Sequence, residues 1–100
     1  MMNKSDYLLA LIEEEALEIA HRASKAIRFG LMETQKGQPH TNAHRLEREI
    51  NDLRAVLEMF HAEQPMFRIT PDADQIRMHK NQVLAYMAYS RHCGTLEREK

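Results

Sequence analysis

Tryptophan is absent from the 100 residues, cysteine occurs once, and glycine and proline occur three times each. The lone Cys93 has no partner for an internal disulfide, which argues against a cystine-stapled secreted scaffold and points to a reducing compartment. With so little Gly and Pro, and with strand-forming aromatics at only 6%, the composition points to helices. Long apolar runs are also missing. No stretch approaches the ~20 apolar residues of a membrane span, and Glu13 interrupts the first apolar run before it can serve as a secretory h-region. A cytoplasmic protein that does not enter membranes is therefore expected. The net charge of −1 lacks the basic excess of a dedicated nucleic-acid binder. One hundred residues make a single small domain, 1–100, whose thin core would gain from a partner subunit.

What the chain does contain is helical periodicity. Ser5 is a good N-cap with Asp6 in the first turn. Leu8, Leu9, Ile12, Ala16, Ile19, Ala20, Ala23 and Ile27 then recur by threes and fours until Gly30 supplies a stop. Residues 30–41 have no period and form a connection toward the long end for a compact domain, where Lys36 and Gly37 are placed to cover a ligand. A second helix starts at Thr41 or Asn42, carries Leu46, Ile50, Leu53, Val56, Leu57 and Phe60, and ends near Ala62 ahead of Gln64-Pro65. A third is announced by Thr70 as N-cap, Pro71 at the first helical position, and Asp72 and Asp74 in the first turn. Its stripe is Ile76, Val83, Met87 and Tyr86, it ends before Gly94, and a charged tail, 95–100, should fray. The expected fold is all-α: an antiparallel helical hairpin plus a third helix. Three helices do not complete a four-helix bundle, so dimerisation is expected to do so.

Acidic residues border both stripes of the hairpin. At about 100° per residue, with Ile12 as origin, Glu15 lies near −60° and Glu18 near −120° by the same rule. With Leu53 as origin on the second helix, Glu49 lies at about −40° and Asp52 at about −100°. A single Glu at such a position is ordinarily just the edge of a stripe. Two i, i+3 acid pairs on matching flanks are harder to read that way, because antiparallel packing turns equal flanks toward each other in one of its two side-by-side placements. Glu15, Glu18, Glu49 and Asp52 would then converge beside an apolar core, where several carboxylates cannot all stay ionised unaided. Oxygen-only ligands suit a hard cation, Mg²⁺ first. Glu13 and Glu14 point away on a regular helix.

The acids also form a recognisable pattern. Glu14-Glu15-Ala16-Leu17-Glu18 fits E-E-x-x-E and Glu49-Ile50-Asn51-Asp52 fits E-x-x-D. Together they resemble the signature of the all-α nucleoside triphosphate pyrophosphohydrolases, the MazG-like superfamily. The resemblance covers residues 8–96 and is closest to the small phage-encoded members around residues 24–30 and near the C-terminus. The separation between the two halves is slightly longer than the family's, an excess the Gly/Pro-containing connection absorbs. The resemblance implies Mg²⁺-dependent hydrolysis between the α- and β-phosphates, with Mn²⁺ able to replace Mg²⁺. It implies Glu15, Glu18, Glu49 and Asp52 as metal ligands and Glu14 as an accessory catalytic residue. It also implies a homodimer or homotetramer, in host cytoplasm if the chain is phage-encoded. Family members often carry Lys-Asn on a later helix, which Lys80-Asn81 fits. Lys80 falls at the edge of the third stripe and Asn81 points elsewhere. Lys25 and Arg28 are further candidates to bind phosphate. Phe29, Phe60 and Tyr86 are available to a base pocket, although core packing explains each more simply.

Other constellations carry less. Glu18 with His21 and Glu58 with His61 both read E-x-x-H, the di-iron bundle pattern, but His21 falls opposite the first stripe and the third helix offers no central Glu. The histidines lack zinc spacing, and adjacency does not make Cys93 and His92 a nucleophile–base pair. The alternative from another class is a non-catalytic helical oligomerisation or partner-binding protein. Its mark would be lost motif carboxylates, and none is lost.

Overall fold

The computed structural model describes residues 1–99 and is all-helical: α1 (Lys4–Phe29), α2 (Asn42–Glu63) and α3 (Ala73–Cys93). Its contacts divide it into two compact units, Met1–Ile69 and Thr70–Lys100. No helix is long and apolar enough to cross a membrane among the described residues.

In the first unit, α1 and α2 form the expected antiparallel hairpin. At one end, Lys4 Nζ pairs with Glu63 at 2.8 Å and Gln64 donates to Ser5 Oγ at 2.9 Å. At the other, the Asn42 side chain donates to the Gly30 carbonyl at 2.8 Å. α1 begins two residues earlier than its predicted cap: Asn3 caps it, its side chain accepting from Asp6 N–H at 2.8 Å. Asn is as good an N-cap as Ser, and starting at Asn3 adds half a turn of backbone hydrogen bonds. α2 is capped by Thr41 as expected, Oγ1 accepting from His44 N–H.

The core is thin and sits toward the open end of the hairpin. Leu8 (2% exposed), Val56 and Phe60 are buried, with Leu11 and Ile12 packed against them. The seam between the helices is narrower than the expected stripes. Buried and half-buried positions on α1 include 8, 12, 15, 19, 22 and 26, and those on α2 include 42, 46, 49, 53, 56 and 60. Both series alternate steps of three and four, the spacing of a two-helix seam rather than of a helix half-sunk in a larger core. Ala16 and Ala20 consequently lie exposed, and so do Leu17 (64%) and Ile27 (85%). Glu15 and Glu49 stand on the seam itself, where the wheel had put them at its border.

The connection 30–41 is tied down from inside. Asn42, the one buried polar residue among those described, donates from its side chain to Gly30 O and to Glu33 Oε1 (3.2 Å). Its backbone N–H bonds Glu33 O, and Ala43 N–H bonds Leu31 O. Gly30 turns the chain out of α1 with φ 101°, a conformation that favours glycine. Arg45 Nη1 adds a bond to Gln35 Oε1 at 3.0 Å.

In the second unit, α3 is capped by Asp72, not Thr70, its carboxylate accepting from Gln75 N–H at 3.0 Å. Asp outranks Thr at this position, and Pro71 then precedes the cap. Gly94 ends the helix in the left-handed region, as its place after the last periodic residue predicts. In the tail, Thr95 N–H bonds Ser90 O, and Arg91 reaches Glu97 O and Glu99. Lys100 lies outside the described residues.

Candidate metal centre

Two helices supply the acids. Glu15 comes from α1, one turn beyond Ile12. Glu49 and Asp52 come from α2, one turn before Leu53 and Val56. Because the helices run antiparallel with residue 8 near residue 60, position 15 arrives opposite 49 and 52. One carboxylate oxygen from each of Glu15, Glu49 and Asp52 lies within 4.8 Å of the others. Glu15 and Glu49 are half-buried and Asp52 is exposed. Among the described residues, none of the three forms an ion pair with a Lys or Arg.

The electrostatic consequence falls on Glu15. Its carboxyl is pushed above the usual carboxylate range, first by desolvation on the seam and then by the charges of Asp52, Glu49, Glu14 and Glu18. The seam positions of Glu15 and Glu49 would ordinarily go to Leu or Ile, and ionised carboxylates there and at Asp52 repel one another. The donor set is all oxygen and drawn from two rigid elements, which fits a hard divalent cation. On Mg²⁺ adjacent ligand oxygens stand about 3 Å apart and opposed ones about 4.2 Å, so side-chain rotation would have to draw the three oxygens together to share one ion.

The remaining sequence candidates are distributed differently. Glu14 and Glu18 are exposed and stand outside the three-oxygen group, near enough to add their charge to it. Lys25 and Arg28 lie over the Phe29 ring, at 5.6 and 4.8 Å from its centroid, a cation–π arrangement at the end of α1. Lys25 also lines a hollow with Phe29, Glu33, Gln35, Lys36 and Asn42. Lys80 and Asn81 are exposed on α3, in the second unit. Phe60 is core, whereas Phe29 and Tyr86 are exposed. His21 is exposed, as its place opposite the first stripe predicts.

The structure also brings forward residues that the sequence reading passed over. An open cavity of about 210 Å³ lies beside the acids, walled by Arg22, His40, Arg45, Arg48, Glu49 and Asp52 and by Gln38 and Pro39 of the connection. Arg22, half-buried, follows Glu15 by seven residues, so it occupies the same seam two turns on. Arg45 and Arg48 precede Glu49 and Asp52 by four residues each. That regular offset of a cation from each acid was the available signal. His40, in the connection, had none. Its imidazole is held below its ordinary range, first by desolvation and then by His44, Arg48 and Arg45.

Comparison with protein-family models, with characterised proteins and with solved structures gave no match.

Proposed function

We propose that the chain is a Mg²⁺-dependent nucleotide pyrophosphohydrolase, converting a nucleoside triphosphate to monophosphate and pyrophosphate. The observation that carries this reading is the convergence of Glu15, Glu49 and Asp52 at the seam of the α1–α2 hairpin, with Glu15 and Glu49 at positions where packing alone calls for apolar side chains. The E-E-x-x-E and E-x-x-D patterns supply the reaction class.

In this reading Glu15, Glu49 and Asp52 hold the cation, with Mn²⁺ able to substitute, and Glu18 joins them or orients water from the exposed border of the seam. Glu14 adds negative charge from one residue away. When bound, the cation supplies phosphate neutralisation, alignment of the triphosphate and activation of water. A carboxylate left free of ligation accepts the proton of the attacking water. Lys25 and Arg28 extend the cationic surface along α1. We place the protein in the cytoplasm as a homodimer or homotetramer. Three buried apolar residues are a small core for a hairpin of this length, and the exposed Leu17, Ile27 and Met32 offer surface for self-association.

Those same exposed apolar residues favour a second reading, a helical oligomerisation protein without turnover. The two readings part on products. A panel of nucleoside triphosphates incubated with Mg²⁺ and resolved by anion exchange should give monophosphate and pyrophosphate. Orthophosphate with diphosphate would move the cleavage to another bond, and an inert panel would favour the non-catalytic protein.

A further inference from the structure

The cavity beside the acids is lined by three arginines and His40 as well as by Glu49 and Asp52. Arg22 reaches it from α1, His40 from the connection, and Arg45 and Arg48 from α2. Among the described residues none of the three guanidiniums forms an ion pair, and the one hydrogen bond that Arg45 makes is to the neutral Gln35. Solvated arginines on a helix face diverge into water. These come from two helices and line one space beside His40. At about 210 Å³ the open cleft is smaller than the roughly 300–1,000 Å³ of pockets that enclose a drug-sized molecule, and its guanidiniums suit a compact anion with several oxygens, which such forks bind in bidentate fashion.

We propose that this cavity is a polyphosphate subsite, in which Arg22, Arg45 and Arg48 bind the two phosphoryl groups that become pyrophosphate, with the nucleoside lying outside it. The assignment rests on the metal reading of Glu15, Glu49 and Asp52, because Glu49 and Asp52 form the wall shared by the two sites. It adds to that reading where the phosphate chain lies and which end of the substrate is gripped. It also makes the terminal phosphates, rather than the base, the part of the ligand that the arginines recognise.

The test is calorimetric titration of inorganic pyrophosphate in the presence of Mg²⁺, into wild type, an Arg45→Gln/Arg48→Gln double variant, and Arg54→Gln as a control outside the cavity on the same helix. Separate Mg²⁺ titrations are run on each protein. The double variant should lose at least about tenfold in pyrophosphate affinity, consistent with losing charge-assisted bonds. Its Mg²⁺ affinity should be unchanged or raised, since neighbouring cations have been removed, and Arg54→Gln should match wild type. Pyrophosphate binding by the double variant equal to wild type, or none by wild type, would overturn the subsite. Failure of wild type to bind Mg²⁺ would overturn the metal reading instead, and a pyrophosphate affinity still lost in the double variant would then uphold the cavity as an anion site alone. Should circular dichroism show the double variant unfolded, Arg22→Lys decides. It keeps the charge but not the fork, so a several-fold loss is expected and an unchanged affinity counts against the subsite.

Discussion

Replacing Glu15 with Gln should stabilise the metal-free protein and destabilise the metal-loaded one. In the absence of metal, Glu15 shares a 4.8 Å sphere with Glu49 and Asp52, and two like charges at that separation repel by about 0.9 kcal/mol even at the dielectric of water. Two such pairs on a half-exposed seam, with salt screening, amount to about 1–2 kcal/mol. A domain of this size gains about 4–8 °C in Tm per kcal/mol, so the variant should melt several degrees above wild type in EDTA at neutral pH. The pH dependence has a definite sign. A carboxyl whose folded pKa is raised contributes stability below its unfolded value, and that contribution is lost as pH rises through the folded value. The advantage of Gln should therefore be full at neutral pH and vanish below about pH 4.5. Mg²⁺ reverses the order. At a free concentration of about 100 times Kd, binding adds about 2.7 kcal/mol to wild type, and the variant, short of one ligand, gains far less. Differential scanning fluorimetry in EDTA and in Mg²⁺, across pH, reads all of this. A variant no more stable than wild type in EDTA, or equal stabilisation of both proteins by Mg²⁺, would refute the convergence of charge at this point.

Glu18→Gln separates a metal ligand from an accessory. If Glu18 orients water from outside the three-oxygen group, Mg²⁺ affinity should stay within a few-fold of wild type while kcat falls by roughly 10²–10⁴; loss of Mg²⁺ binding in a titration would make it a ligand. Asn42→Ala removes the bonds to Gly30 O and Glu33 and leaves their acceptors poorly satisfied, which costs about 1–3 kcal/mol. Its Tm should fall, and limited proteolysis should cut first within 30–41. His40, with a lowered folded pKa, contributes stability above about pH 6.5 that is lost as pH falls through the folded value. His40→Gln should therefore flatten the decline of Tm between neutral pH and pH ~5, and an unchanged slope would place the acid sensitivity elsewhere.

Much of the architecture could be read from local chemistry. Thr41, Gly94 and the three- and four-residue spacing of α2 act within a turn of themselves, so no distant contact was needed to interpret them. Errors arose where two good local answers compete. Asn3 took the cap from Ser5, and Asp72 took it from Thr70. The covered stripe of α1 is narrower than its apolar period for a different reason. Ala16, Ala20 and Ile27 satisfy a helical period, but which part of an apolar face is covered depends on how many neighbours it meets, and on the seam with α2 only a narrow strip is. That same narrowing moved Glu15 from border to seam and left Glu18 exposed. Three of the four expected acids were readable because Glu15 and the i, i+3 pair Glu49 and Asp52 lie on two helices that an antiparallel turn brings together. The arginine-lined cavity was not, because one wall is His40 of an irregular connection. Its position follows from the bonds of buried Asn42 and from the Gln35–Arg45 contact, not from any periodicity.

The central claim, that Glu15, Glu49 and Asp52 hold one divalent cation on the hairpin seam, is met most directly by a Mn²⁺ titration followed by electron paramagnetic resonance. A metal centre at this place predicts saturable loss of the free-ion signal at one Mn²⁺ per chain in wild type, competed by Mg²⁺, and a weakening of at least tenfold in a Glu15→Gln/Asp52→Asn variant that retains its helical circular dichroism. Equal Mn²⁺ binding by the two proteins, or no saturable binding by wild type, would contradict it.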